Sequence, residues 1–576
     1  MGCTLSVCAP LGIQSNVIHP QPLKISNDKL NQLQTTRFVE NSLIVWLTDQ
    51  SSIEDKNLLD QFRHVISTLR IFTDSNACFT FINNIYDEKI FLVVSPEHER
   101  FIDRIQHLSQ IFKVYIFDSI SRMKNNTHDR ILQSNIFQNT TDLCNQLHED
   151  RELCELDFIF IATVVPSSSD EVSVKRKAAF LLVQFVKEIT IRYKFENDAK
   201  NRFADFCRVH YADNDEQLRA IDDFERTYRP QKALYWLTRT DFISRILNRI
   251  QRTMDVDILY KISFLMKHSR VQLVNFYDNI DYPSKKTSWT VYRGKTMLND
   301  EFDMLLRNSS DGFLSCSCFL VANMNKNVAI NFLHRLIAIN PQRIAVLFEI
   351  HIDAAKHTMS PFALLEKNDH EIQSNKKDEI CFTFSTVFRI ESIEQINDFS
   401  MVIWIVKLIL VDDSDSQLFH LIASLRSNEV QSNPVAYAGK LAIDMGNFDR
   451  AEQFFLQMLL DQSVLNQPRR YARIQSALGY IFTLKNEFSK AVEHYQQAFE
   501  ASLRCLPPDH PDLIPIFSAI GDCYSKTSNH MLALENYERA AQLMQHSSQS
   551  TDQQTIDNLT NHIVNTRKLL KNNGEH

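Results

Sequence analysis

Thr290-Val291-Tyr292-Arg293-Gly294, Phe313-Leu314-Ser315-Cys316-Ser317 and Asp378-Glu379-Ile380-Cys381-Phe382 follow one another in the middle of the chain. Each sets a polar residue in or beside a run of β-branched, aromatic or aliphatic residues, the composition of a short buried strand. Strands of this kind lying side by side project a cation, a hydroxyl and a carboxylate into one cleft.

That trio is the apparatus for splitting a glycosidic bond. Departure of nicotinamide from NAD leaves an oxocarbenium-like ribose, and glycosyl transfer asks for a fixed carboxylate close to the developing charge. Glu379 is the candidate. Arg293 is suited to the dinucleotide phosphates, because its planar guanidinium meets phosphate oxygens bidentately and stays charged. Gly294 permits close backbone approach, and Ser315 can orient the carboxylate and reach the ribose, with Ser317 behind it. Singly, each segment reads equally well as a strand whose hydroxyls are satisfied locally. Their order and spacing give them force.

The sequence Tyr-Arg-Gly, then Ser-x-Ser, then a Glu opening Glu379-Ile380-Cys381-Phe382, with Thr386-Val387-Phe388-Arg389-Ile390 following, resembles the Arg-Ser-Glu class of mono-ADP-ribosyltransferases. The resemblance covers about residues 285 to 412. Val328-Ala329-Ile330-Asn331-Phe332 resembles the helix after the serine motif, and Ala345-Val346-Leu347-Phe348-Glu349-Ile350 the next core strand. It implies Arg293, Ser315 and Glu379 as catalytic residues, and Arg293, Gly294, Ser315 and Ser317 as the NAD-binding set. NAD is then a substrate, with no metal. In the family the residue two before the catalytic Glu is Glu or Gln and positions the acceptor, Glu being typical of arginine-modifying members. Here it is Lys377, which favours an ionised Glu379 but repels a guanidinium. Arginine as acceptor is therefore the family default. Glu371, in the polar stretch before it, is a substitute carboxylate.

The 576 residues exceed one hydrophobic core and predict three to four domains. With 44% hydrophobic and 23% charged residues the composition is that of a soluble globular protein, and a net charge of -8 speaks against a general nucleic-acid binder. Eleven cysteines without a C-x-x-C pair disfavour a disulfide framework and a zinc module, which points to the cell interior. Nine glycines, none in a G-x-G-x-x-G or Walker loop, disfavour a Rossmann dehydrogenase and a P-loop NTPase.

Met1-Gly2-Cys3-Thr4-Leu5-Ser6 fits the pattern for N-myristoylation at Gly2, with Cys3 placed for palmitoylation. One acyl chain holds a protein marginally and two hold it stably, so this terminus predicts attachment to the cytosolic face of a membrane. No apolar run of transmembrane length occurs.

The expected fold is a multidomain α+β chain. Residues 1–40 read as a flexible tether. Residues 41–150 read as a small α/β module, with strands at Leu43-Ile44-Val45-Trp46-Leu47, Ile90-Phe91-Leu92-Val93-Val94 and Val114-Tyr115-Ile116-Phe117, and helical spacing over 57–72 and 97–112. It is similar to receiver or flavodoxin-like domains, without an evident acidic phosphoacceptor cluster. Residues 155–280 form a helical lobe broken near Pro230, and 281–412 a transferase β-sandwich core. In residues 430–571, Gly439, Gly479 and Gly521 are each followed by Ala451, Ala491 and Ala533, then by Phe455, Tyr495 and Tyr537. Small residues where helices touch and an aromatic filling the gap mark paired antiparallel helices. They resemble tetratricopeptide repeats, and the glycine spacing of 40 and then 42 residues, against the usual ~34, resembles the kinesin-light-chain type. Such an α-solenoid offers a groove for a peptide or protein ligand and brings a protein substrate near the cleft. The alternatives are a non-catalytic adaptor built on a degenerate transferase domain, and an NAD glycohydrolase.

Overall fold

The computed structural model describes residues 40–573 except 50–55, 86–87, 106–107, 119–134, 167–170, 193–197, 240–241, 254–255, 280–287, 318, 354–359, 365–377, 399–400, 413, 424–433, 460–463, 465 and 547–552. Gly2, Cys3, Lys377 and Glu371 lie outside the described residues.

Five parallel strands open the structure: β1 (Ser42–Leu47), β2 (Leu69–Phe72), β3 (Lys89–Val94), β4 (Ile111–Phe117) and β5 (Ile136–Phe137), in the order β2-β1-β3-β4-β5. This is the doubly wound, flavodoxin-like order. β1 is buried along its whole length and β3 nearly so, as an unbroken apolar run in a parallel sheet requires. Two stretches expected to be helical differ. The helix Lys56–Val65 ends early and β2 follows it, while over 97–112 a 3-10 turn Pro96–Phe101 and the short helix Ile102–Ile105 give way to β4. Both gave short apolar runs whose period does not separate helix from strand.

Nine further strands form a second sheet: β6 (Ile161–Val164), β7 (Ser288–Met297), β8 (Phe313–Cys316), β9 (Leu320–Asn323), β10 (Ile344–Asp353), β11 (Phe362–Leu364), β12 (Glu379–Phe382), β13 (Val387–Asp398) and β14 (Met401–Leu410). Their order is β11-β12-β9-β7-β10-β14-β13-β8-β6. β6 falls within the stretch expected to be a helical lobe. It belongs to the apolar run Phe158-Ile159-Phe160-Ile161-Ala162-Thr163-Val164 and pairs antiparallel with β8, Ala162 opposite Ser315. β12 and β13 stand five places apart in the order, about 24 Å in a flat sheet. Yet the rings of Phe382 and Phe388 are 5.4 Å apart. The sheet therefore folds back on itself, and Val291, Val346, Phe348, Ile380 and Val406 share one core.

The helices between the sheets include Glu171–Arg192, Phe242–Thr253 and Val256–Asn279, with a 3-10 break at Pro230–Lys232. Arg245 donates to Glu40 at 2.8 Å and Arg249 to Glu88 at 2.6 Å, both pairs buried, so this lobe is pinned to the first sheet. Desolvation offsets most of what such pairs gain, so their main effect is to fix position.

The last third is a stack of helix pairs: Pro434–Asp444 with Phe448–Leu459, Pro468–Leu484 with Phe488–Leu503, and Ile514–Lys526 with His530–His546, followed by Gln553–Asn573. A Cβ on Gly439, Gly479 or Gly521 would stand 2.6, 2.8 or 2.6 Å from the ring of Phe455, Tyr495 or Tyr537. The repeat read in the sequence is thus a helix-crossing contact made three times. The first helix of each pair ends on a left-handed residue, Gly446, Asn486 or Ser528, at φ of 76°, 60° and 62°. The following amide closes back on Ala442, Phe482 or Tyr524, the Schellman arrangement. Gly479→Ala should cost about 1–3 kcal/mol in urea denaturation through overpacking on Tyr495. Ser528→Gly should gain about 1 kcal/mol, because it removes the left-handed penalty. A neutral result at both positions would contradict this account of the stack.

Candidate active site

β9 is the centre of the site, because it lies between β7 and β12. Asn323 on β9 is opposite Tyr292 on β7 and opposite Glu379 on β12, and Tyr292 is opposite Glu349 on β10. Paired residues share a face, so Glu349, Tyr292, Asn323 and Glu379 form one row across four strands. Tyr292 rather than Arg293 is in register with Glu379. Two strand spacings separate their backbones, about 10 Å. Glu379 is half-buried and opens its strand immediately after Asp378, which has φ of 70°, and Asp378 accepts a hydrogen bond from the Met324 amide at 2.9 Å.

The row carries charges that the motifs did not include. Lys326 lies 3.5 Å from the Glu349 carboxylate and 5.6 Å from the Tyr292 ring centre, and His351 Nε2 is 3.6 Å from Glu349. Burial, with the Glu349 charge beside it, pushes the Tyr292 phenol up. Glu349, part of the core strand quoted from the sequence, and His351 alternate with core residues of β10, so no local motif marks them as site residues.

Arg293 leads from the neighbouring row. Its guanidinium donates to the Val321 carbonyl at 3.3 Å and to the Leu156 carbonyl, and lies 5.7 Å from the Phe332 ring centre. Leu156 is in the last turn of the helix Thr140–Asp157, where carbonyls lack intrahelical partners and the dipole favours a cation. Gly294 has no room for a side chain. A Cβ there would meet Leu333 at 2.9 Å and the Ala329 carbonyl at 3.0 Å, so the close approach it permits is that of the helix Lys326–Ile339.

Ser315 is fully buried on β8. Its Oγ donates to the Thr386 carbonyl at 3.1 Å and accepts from Gln184 Nε2 at 2.8 Å. Gln184 also donates to the Ser385 carbonyl at 3.2 Å, and Ser385, at φ of 56°, donates its hydroxyl to Val183 at 2.8 Å. The serine therefore holds the turn 383–386 that follows the Glu379 strand. Ser317 Oγ donates to the Phe160 carbonyl at 3.4 Å. Gln184 lies mid-helix in an apolar run, and no local motif marks it.

Thus β7, β9 and β12 place Arg293 and Glu379 two strands apart, with Arg293 starting from the face opposite the row of Tyr292, Asn323 and Glu379, and Ser315 is tied to the far end of the Glu379 strand. Among the described residues no group of three or more His, Cys, Asp or Glu could hold a metal ion, and no helix is long and apolar enough to cross a membrane.

The tetratricopeptide-repeat family matches residues 470–546, which lie in the last two helix pairs. No curated protein matches the chain at a significant level. Among solved structures, BtubC from P. vanneervenii is 20% identical over 27% of this chain and 63% of its own, with a TM-score of 0.23. The chain thus spans under two thirds of that protein. Plx2a, an ADP-ribosyltransferase toxin from Paenibacillus larvae, is 15% identical over 37% of this chain and 96% of its own, at a TM-score of 0.22. The Vis toxin, an ADP-ribosyltransferase from Vibrio splendidus, is 17% identical over 39% and 91%, at 0.18. Scores of this size establish no common fold, so the functional reading rests on the strands and residues themselves.

Gln184→Met keeps the volume and removes the donor to Ser315 and Ser385. We expect a loss of about 1–3 kcal/mol in denaturation and faster amide exchange confined to residues near the turn 383–386. Unchanged exchange there would remove Gln184 from the positioning of β12.

Proposed function

We propose that the chain is an NAD-dependent protein mono-ADP-ribosyltransferase. The observation that supports the reading is the register at Asn323, by which the strand opened by Glu379 lies two places from the arginine strand, in the motif order of the family it resembles. In this reading Glu379 stabilises the ribosyl cation as the bond from C1′ to the nicotinamide nitrogen breaks and its electron pair leaves with nicotinamide. A side chain of the target protein then attacks C1′ and releases its proton to solvent. Arg293 binds the diphosphate, exchanging the carbonyl of Leu156 for phosphate oxygens, which make stronger charge-assisted bonds. Gly294 and Ser317 shape the site from behind. Ser315 acts as a positioning residue through the turn after β12.

Arginine is the acceptor by family default, with Lys377 the residue at the acceptor-positioning place. The repeats supply a groove for a peptide or protein ligand and raise the local concentration of the substrate. One observation favours the alternative of a non-catalytic adaptor: the Arg293 guanidinium is already bonded to two backbone carbonyls. An NAD glycohydrolase is the further alternative.

With NAD labelled on its adenylate half, wild-type protein in a cell extract should transfer label to protein and release nicotinamide. Glu379→Gln should lower both by at least about 10³-fold with the fold intact, a loss of roughly 4 kcal/mol of transition-state stabilisation. Label equal in the variant would remove Glu379 from the mechanism. Nicotinamide without protein label would indicate the hydrolase, and neither signal the adaptor.

The reading also places the protein at the cytosolic face of a membrane through acylated Gly2 and Cys3. A clickable myristate analogue fed to expressing cells should label the wild type but not Gly2→Ala. Label retained in the variant would exclude Gly2 as the site.

A further inference from the structure

Lys295 follows Arg293 by two residues on β7, on the same side of the strand, and is 5% exposed. Its ammonium donates to the Asp157 carbonyl at 3.4 Å and forms no ion pair with a carboxylate among the described residues. The Asp157 carboxylate is used elsewhere: it accepts from the Thr296 amide and hydroxyl, each at 2.6 Å, and lies 3.7 Å from Arg343. A buried ammonium held by one long bond to a carbonyl carries a desolvation cost that an adjacent anion would offset.

The space for that anion is present. Lys295 lines a cavity of ≈ 200 Å³ between the first sheet and the end of β7, far more than one water needs. Two more cations reach its wall, Lys89 at the start of β3 and Arg343 before β10, together with the hydroxyl-bearing Ser109 and Thr296 and the ring of Phe112. Against three cations stand two carboxylates, Asp157 already bonded and Glu301 at the rim helix. Lys89 at present donates to the Ser109 carbonyl at 2.6 Å.

We propose that this cavity binds a small phosphate-bearing anion, which compensates Lys295 and joins the N-terminal α/β module to the sheet that carries Arg293. Lys295 and Lys89 supply charge for the phosphate, with Arg343, already donating to Thr296 at 2.7 and 2.9 Å, beside them, and Ile111, Phe112 and Leu336 in the same lining accept a carbon skeleton. No part of this depends on NAD chemistry at Glu379.

Calorimetric titration of the full chain with inorganic phosphate and, in a second arm, with glycerol phosphate tests it, with chloride at matched ionic strength as the control. The expected result is saturable binding of about one equivalent, weakened at least about tenfold in Lys295→Met, the loss of one charge-assisted contact. Lys89→Met, which leaves β7 untouched, should weaken it in the same direction. Tighter binding of the ester identifies a phosphorylated metabolite as the ligand, and tighter binding of phosphate identifies the free ion. No saturable binding of either, or binding that both variants leave unchanged, overturns the proposal.

Discussion

A buried amide, Gln184, ties together two parts of the folded-back sheet. The helix Glu171–Arg192 lies where the folded-back sheet meets itself, and Gln184 reaches both Ser315 on β8 and the Ser385 carbonyl after β12. A buried amide that satisfies two partners at once fixes their separation, because losing either leaves a polar group stranded in the core. The adjacent residue on the same helix, Phe185, packs against Tyr437 of the first repeat helix, with ring centres 5.5 Å apart and ring planes tilted by 53°. One helix thus packs the repeat array on one side and sets the strand of Glu379 on the other.

β7 is the second structural hub. Its two cations close the end of the helix Thr140–Asp157, Arg293 on the Leu156 carbonyl and Lys295 on that of Asp157. Helix-end carbonyls need donors and the helix dipole favours positive charge there, so the α/β module docks without apolar burial alone. The arginine that the proposed chemistry assigns to phosphate is therefore held on backbone carbonyls, through bonds that a ligand must replace.

Much of the architecture was legible in the sequence, for identifiable reasons. The repeats were readable because a glycine, an alanine and an aromatic recur at fixed separations, and each glycine meets its aromatic across a helix crossing. The central strands β1, β3 and β4 were readable as unbroken apolar runs. β2, β5 and β6 were not, since they have four or fewer residues and, unlike β8 and β12, no motif beside them. At the candidate site, Arg293 and Glu379 were placed by motif, but the row through Tyr292 and Asn323 depends on register, which no local pattern encodes. Gln184 is a long-range partner of Ser315 by 131 positions, beyond any local signal.

The central claim is that the strands joined at Asn323 form an NAD site, and equilibrium binding tests it apart from turnover. A non-hydrolysable NAD analogue titrated into wild-type protein should bind saturably, with Arg293→Met weakening it at least about tenfold and Glu379→Gln leaving it within about threefold. No binding by the wild type, or equal binding by Arg293→Met, would contradict the account.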